Sequence, residues 1–462
     1  MLAASRQKTL SQSLATWATT LTLDDVPDDV IHAGKRAIVD TIAVAIAGSN
    51  MPVRKKILHH AIENYGPGRC VALGTGEHLS PLGATLANGV AAHALDFDDM
   101  SYAGIIHGSI IILPAVLAAV EQQNGTGRAL LEAFIAGAEC AYAIGLTVTD
   151  SHYLKGWWAT ASCGMIGAAA GASKALSLDD DQTTNAISLA AVQAFGMIAI
   201  LGTDAKPTLA GRAAMSGLEA ALLAGEGLSA PARAFEDKRG FLALMNDGTA
   251  YNEGLAQLGR TWRLTEPGIF FKTYPVCSAA HAAAQLTERL LRENGLGFDD
   301  IENILCDVPH LVAISLVHDA PATPSEAQFS MPFAIGCILS FGALGPEQIS
   351  SDCLADQRLR DAMAKVRMSE ADDLNLPEIA KRTPECARVT IKTKNGATIS
   401  DFLGAPAGMP ENPLSDDDLS NKFRRCCEFA GWPASRSDGL LDDLWTLETA
   451  PNLSQMLRGD VS

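Results

Sequence analysis

Four short segments concentrate residues able to move protons or hold anions. The first, His93-Ala94-Leu95-Asp96-Phe97-Asp98-Asp99, closes an alanine-rich stretch. Three carboxylates within four residues repel one another unless one is protonated, solvated or matched by a cation. At a helix C-terminus they also oppose the dipole. Such a cluster suits either a solvated turn or the lining of a site. The second segment, His107-Gly108-Ser109, follows eleven residues after Asp96. Backbone N–H groups beside an imidazole would suit a carboxylate ligand. With Asp96 orienting it, His107 would be a general acid or base. The third runs from Gly202 to Arg212: Asp204, Lys206 and Arg212 arrive abruptly after the charge-free run 182–203. Pro207 suits a first helical turn, which puts Lys206 at the helix start, able to hold an anion or sit on the surface. The fourth, Phe271-Lys272-Thr273-Tyr274-Pro275-Val276-Cys277-Ser278, continues through two alanines to His281. Pro275 marks a turn and Ser278 a cap, so His281 falls in a first turn, where the neutral imidazole, a base, is favoured. Tyr102 and Tyr153 are further proton donors. There is no GxGxxG, P-loop, HExxH or GxSxG, and so no motif for nucleotide, zinc or serine-hydrolase chemistry.

Composition narrows the partners. The 462 residues carry 35 Lys+Arg against 53 Asp+Glu, a net charge of −18, with 48% hydrophobic residues. A chain this apolar builds a large core. Its acidity disfavours nucleic acid, which needs clustered Lys/Arg, but allows an anionic small molecule wherever a few cations converge. The first twenty residues lack a signal-peptide pattern. The apolar runs 109–120 and 186–201 are short of a membrane span of about 20 residues. Ten scattered cysteines without a CxxC fit reduced thiols. A cytoplasmic protein with no membrane segment is the expectation.

The elements that must position these residues are mainly helical. Apolar periodicity predicts helices over 28–48, 80–95, 109–123, 128–147, 160–176, 181–195 and 210–227, with small residues allowing close packing. After Trp262 the pattern changes: 301–308 reads as a strand, and 388–399 as a hairpin around Asn395-Gly396. Helical patterns lie between at 329–344 and 356–366, and return at 416–429 and 440–458. The expected fold is mainly α with an α+β second domain: an all-helical domain over 1–264, an α+β lid over 265–402, and a helical tail over 403–462 returning to the first domain.

At these segments together the sequence resembles the MmgE/PrpD family, which includes 2-methylcitrate dehydratase, cis-aconitate decarboxylase and iminodisuccinate epimerase. The resemblance rests on NGVAAHALDFDD at 88–99, HGS at 107–109, GTDAKPTLAGRAA at 202–214, EDKRGFL at 236–242 and YPVC with His281. It implies a helical domain with an α+β lid, a homodimer, small di- or tricarboxylate substrates, and no metal or other cofactor. It places Asp96, His107, Lys206 and His281 in the site. Departures from the family pattern are Trp158 where a histidine is expected in Gly156–Ser162, Leu209 for histidine in the KP segment, Gly108 for proline, and Met100 for threonine.

Trp158 removes one candidate acid, and dehydration needs both an acid and a base. Moving a proton on the carbon next to a carboxylate needs a base on one face, a donor on the other and cations to stabilise an enediolate. The expectation is therefore an isomerase or epimerase of a substituted succinate. A 2-methylcitrate dehydratase-like or cis-aconitate decarboxylase-like lyase is the alternative, and a non-catalytic metabolite binder the reading from another class. Expected catalytic residues are Lys206, His107, His281, Asp96 and Tyr102; expected substrate-binding residues are Trp158, Thr160, Arg212, Lys272 and Tyr274.

Overall fold

A computed structural model describes residues 8–250, 253–380 and 382–458. The outermost parts of the expected 1–264 and 403–462 segments lie outside these. The Asp28–Gly48 helix opens on Asp28 and Asp29, which favour the positive helix end, and is buried on all sides from Ala37 to Gly48. The Pro81–His93, Ser109–Gln122 and Gly127–Leu154 helices pack on it, and the Gly164–Ala175, Asp180–Gln193 and Ala205–Gly225 helices pack on these and on one another. Gly127–Val148 is long and apolar enough to cross a membrane, but 83% of its most apolar window is buried, as in a core helix. The sequence pattern over 160–176 divides at Cys163 into two helices, Ala159–Ser162 and Gly164–Ala175. The helix expected from 210 begins at Ala205, because Pro207 in its first turn lacks an N–H that would have no partner there anyway. That extension carries Lys206 into the helix.

Two of these helices position the chemistry by touching backbone to backbone. A Cβ on Gly211 would lie 2.5 Å from the Leu86 carbonyl oxygen, and one on Gly89 would lie 2.7 Å from Gly211 Cα. Glycine at both sites lets the helix leading to Asp96 lie directly on the helix that begins with Lys206.

The smaller domain follows a small hairpin of the first, β1 (Pro67–Val71) and β2 (His78–Leu79). It holds a mixed sheet ordered β4–β3–β5–β6, from β3 (Ile301–Val308), β4 (Val366–Glu370), β5 (Ala387–Thr393) and β6 (Thr398–Leu403). β3 runs parallel to β4 and antiparallel to β5. Thr393 N–H donates to the Ala397 carbonyl, so the hairpin turn is three residues long, with Gly396 at φ 89°. β4 differs from the expected helix over 356–366: the helix ends at Met363, and Val366 is the first strand residue. Its single buried position carries too little alternation to mark a strand. The Asp416–Phe429 helix packs on Asp28–Gly48, where Lys422 Nζ pairs with Asp40 at 2.7 Å. The expected 440–458 helix is instead Ala434–Trp445 and Leu453–Arg458, separated by a turn that contains Pro451.

Gly211→Ala should overpack this helix contact and lower stability by about 1–3 kcal/mol, read as a reduced urea midpoint. An unchanged midpoint would contradict the described contact.

Candidate active site

Asp96 takes the left-handed conformation, φ 48°, just beyond the end of the Pro81–His93 helix. Aspartate is among the few residue types that tolerate this region. The turn carries its carboxylate into the protein, where it is 2% exposed. Lys206 Nζ pairs with one oxygen and Lys272 Nζ lies 3.1 Å from the other, while also donating to the Asp96 carbonyl at 2.7 Å. Burial alone would raise the Asp96 pKa, but Lys206 and Lys272 outweigh it and hold the carboxyl far below the ordinary carboxylate range. Lys272 is fully buried as well; burial works against its charge, yet Asp96 and Asp98 keep its pKa above that of an ordinary lysine.

The neighbouring carboxylates differ in state. Asp98 receives both imidazoles: His93 Nδ1 at 2.8 Å on one oxygen and His107 Nδ1 at 2.9 Å on the other. Burial opposes its ionisation, but these partners bring its pKa well below normal. Asp99 is pushed well above normal by burial and by nearby Asp40, and Ser109 Oγ lies 2.5 Å from it. Asp99, with its raised proton affinity, and two carboxylates matched by lysines and imidazoles can therefore coexist.

These contacts set the tautomers. His107 Nδ1 faces two acceptors, Asp98 Oδ2 and the Asp99 carbonyl at 2.9 Å, and therefore carries the hydrogen. Nε2 keeps its lone pair. His93 likewise donates from Nδ1, and its Nε2 accepts from Lys206 Nζ at 2.8 Å. A chain of contacts thus runs from Lys206 through His93 and Asp98 to His107. Burial depresses both imidazoles, His93 to about 4, and the two lysines add to the effect on His107. His93, Asp98 and His107 place three potential metal-ligand atoms within 4.8 Å of one another. Both Nδ1 atoms are already engaged by Asp98, and the Lys206 ammonium disfavours a second cation beside them, so the grouping reads as a hydrogen-bond relay.

Asp96, His107, Trp158 and Lys206 line one cavity of about 40 Å³ together with Cys277, Ser278, Phe329 and Glu385. The first four belong to the helical domain and the others to the lid. A space of that size is too small for a dicarboxylate, so the site must widen to admit one. Trp158 forms a wall: its ring stacks on His93 with centroids 5.7 Å apart and stands 5.7 Å from Lys206 Nζ.

A family model described as the MmgE/PrpD N-terminal domain matches residues 12–253, and the MmgE/PrpD C-terminal domain model matches residues 274–445. The chain belongs to the MmgE/PrpD family. Among its relatives within that family, a cis-aconitate decarboxylase-like protein of Aspergillus oryzae is 26% identical, covering 97% of this chain and 96% of the relative. The cis-aconitate decarboxylase of Aspergillus terreus is 28% identical over 88% of this chain and 87% of its own length. That of Homo sapiens is 27% identical over 98% and 95%.

Not every residue singled out in this MmgE/PrpD chain faces the cavity. Asp98, not Asp96, orients His107; Asp96 is engaged by the two lysines. Arg212 is exposed, because six residues along a helix turn it off the face of Lys206. His281 is buried between Phe270 and Tyr274, with ring centroids 5.3 and 5.2 Å away, and lies outside the cavity lining. Burial and Lys272 lower it to about 3, so it is neutral, but it does not face the cavity. Tyr274 donates to Glu288 at 2.9 Å and faces a separate crevice beside the tail helix. Tyr102 donates to Glu385 at 2.8 Å instead of reaching the cavity. Thr160 Oγ1 accepts from the His107 backbone N–H at 3.1 Å and so holds His107 in place. Sequence reasoning gave no role to His93 or Asp98, although both lie in its first segment, and passed over Glu385, which no motif marks.

His281 is neutral when folded and takes up a proton near pH 6.5 when unfolded. The unfolded state therefore binds more protons below about pH 6.5, and stability falls as pH falls towards 3. His281→Asn should show a shallower loss of urea midpoint between about pH 6.5 and 4.5 than the parent protein. Parallel slopes would contradict a buried neutral imidazole.

Proposed function

We propose that this chain is an enzyme that removes the proton α to a carboxylate of a small di- or tricarboxylate, and that its reaction is the epimerisation or isomerisation of a substituted succinate. The observation that carries this reading is the meeting of Lys206 with a tautomer-fixed His107 on one buried cavity. The His107 Nε2 lone pair is a base held at neutral charge by burial. Lys206 has donors towards Asp96 and His93 and a third N–H left for a substrate carboxylate. The Lys206 ammonium on the cavity wall places a positive charge where it stabilises the negative charge of an enediolate. Trp158 offers no proton for a leaving hydroxyl, which favours proton transfer alone over dehydration.

Decarboxylation is a second reading, favoured by the cis-aconitate decarboxylases that are similar to nearly the full chain. It would use the same niche to stabilise the carbanion left by CO2 and would finish with protonation of carbon. Incubation in D2O with resolved enantiomers of malate, 2-methylsuccinate and N-carboxymethylaspartate, and separately with cis-aconitate, distinguishes these outcomes. Deuterium entering the α position with loss of optical rotation supports the proposal. CO2 release from cis-aconitate alone supports the second reading, an alkene product supports dehydration, and no turnover supports a binding protein. Lys206→Met should lower turnover at least about 100-fold. It should keep its fold, because Lys272 still neutralises Asp96. Turnover within threefold of the parent protein would remove Lys206 from the mechanism.

A further inference from the structure

Glu385 reaches the cavity from the lid, two residues before β5. It is 5% exposed, and its two oxygens accept from different elements: Oε2 from Tyr102 Oη and Oε1 from Ser278 Oγ, each at 2.8 Å. Among the described residues no lysine or arginine forms an ion pair with it. Burial raises its proton affinity, the two hydrogen bonds and Lys272 pull the other way, and the net direction is up. A buried carboxyl with raised proton affinity and no ion-pair partner, on a wall shared with a substrate, can both give and take a proton. The helical domain contributes Lys206 and His107 to the same cavity, so the two domains each supply a group that can carry a proton.

We propose that Glu385 is the lid-side acid–base group of this site, serving the face of the substrate's α-carbon opposite to that served by the helical domain. The inference rests on the α-proton reading above. In one direction the base on the helical wall takes the α-proton, and the C–H electron pair moves into the enediolate held by Lys206. The Glu385 carboxyl then gives its proton to the opposite face of the carbon: a new C–H bond forms and the O–H bond breaks, leaving a carboxylate. Exchange with water returns a proton to Glu385 and removes one from the opposing base. The other stereoisomer follows the reverse path. No oxidant, reductant or additional reactant takes part. Tyr102 and Ser278 are positioning residues that fix the two oxygens of Glu385.

The test uses the full chain in D2O with whichever of the three enantiomer pairs the parent protein deuterates. Glu385→Gln should interconvert the pair at least about 100-fold more slowly, yet still exchange the α-proton of one enantiomer within about threefold of the parent rate. Near-parent interconversion would overturn the proposal, as would equal loss of exchange from both enantiomers. If the parent protein deuterates none of the substrates, the reading of the function fails first and takes this proposal with it. Tyr102→Phe supplies an independent readout should Glu385→Gln fail to fold. Removing a hydrogen bond that favours the ionised carboxylate should move one limb of the pH–rate profile to higher pH. A profile unmoved in both limbs would count against Glu385.

Discussion

One buried carboxylate holds the site together. Asp96 sits between Lys206 and Lys272, which come from segments 110 and 176 residues away in the chain. A pair of buried ammonium groups without that anion would be strongly unfavourable, and the anion without them would become protonated. The left-handed turn at Asp96 is what delivers its oxygens to both, and the same turn leaves Asp98 free to bind His93 and His107. Charge state, tautomer and position are therefore set together. A change at Asp96 would be felt by both lysines and, through them, by both imidazoles.

The helical body supplies rigidity and the lid supplies closure. Close glycine contacts between the Pro81–His93 and Ala205–Gly225 helices bring the turn that carries Asp96 to the helix start that carries Lys206. The lid contributes Cys277, Ser278, Phe329 and Glu385 to the cavity, while the expected substrate-binding Lys272 lies outside its lining and pairs with Asp96, so the cavity exists only when the two domains meet. In such a buried space each charge acts more strongly than it would in water. Trp158 shields two of these groups by stacking on His93 and lying over Lys206. The cis-aconitate decarboxylases similar to this chain match it over 88% or more of its length.

Much of this was legible in the residues. Periodicity located the main helices because their apolar faces are long, and Asn395-Gly396 located the hairpin because its turn demands a left-handed residue. The clustering of charge at Asp96, His107 and Lys206 marked the site because it breaks long uncharged stretches such as 182–203. What stayed hidden depends on three-dimensional aim. Arg212 and Lys206 look equivalent in sequence, yet the helical turn sends one to solvent. Asp96, Asp98 and Asp99 look interchangeable, yet the backbone angle at Asp96 and the two imidazoles give each a different partner. Glu385 lies in a segment with no recognisable pattern, and only the lid's docking brings it to Tyr102 and the cavity. The strand β4 escaped because one buried residue makes no periodicity.

The central claim is that the Lys206, Lys272 and Asp96 cluster is an anion niche at the domain interface. A crystal structure of the chain soaked with malonate or succinate tests it most directly. The account predicts one ligand carboxylate within about 3.2 Å of Lys206 Nζ, with a ligand CH2 group facing His107 Nε2. A dicarboxylate bound elsewhere at saturating concentration, with the cavity unchanged and Lys206 still turned only to Asp96 and His93, would contradict it.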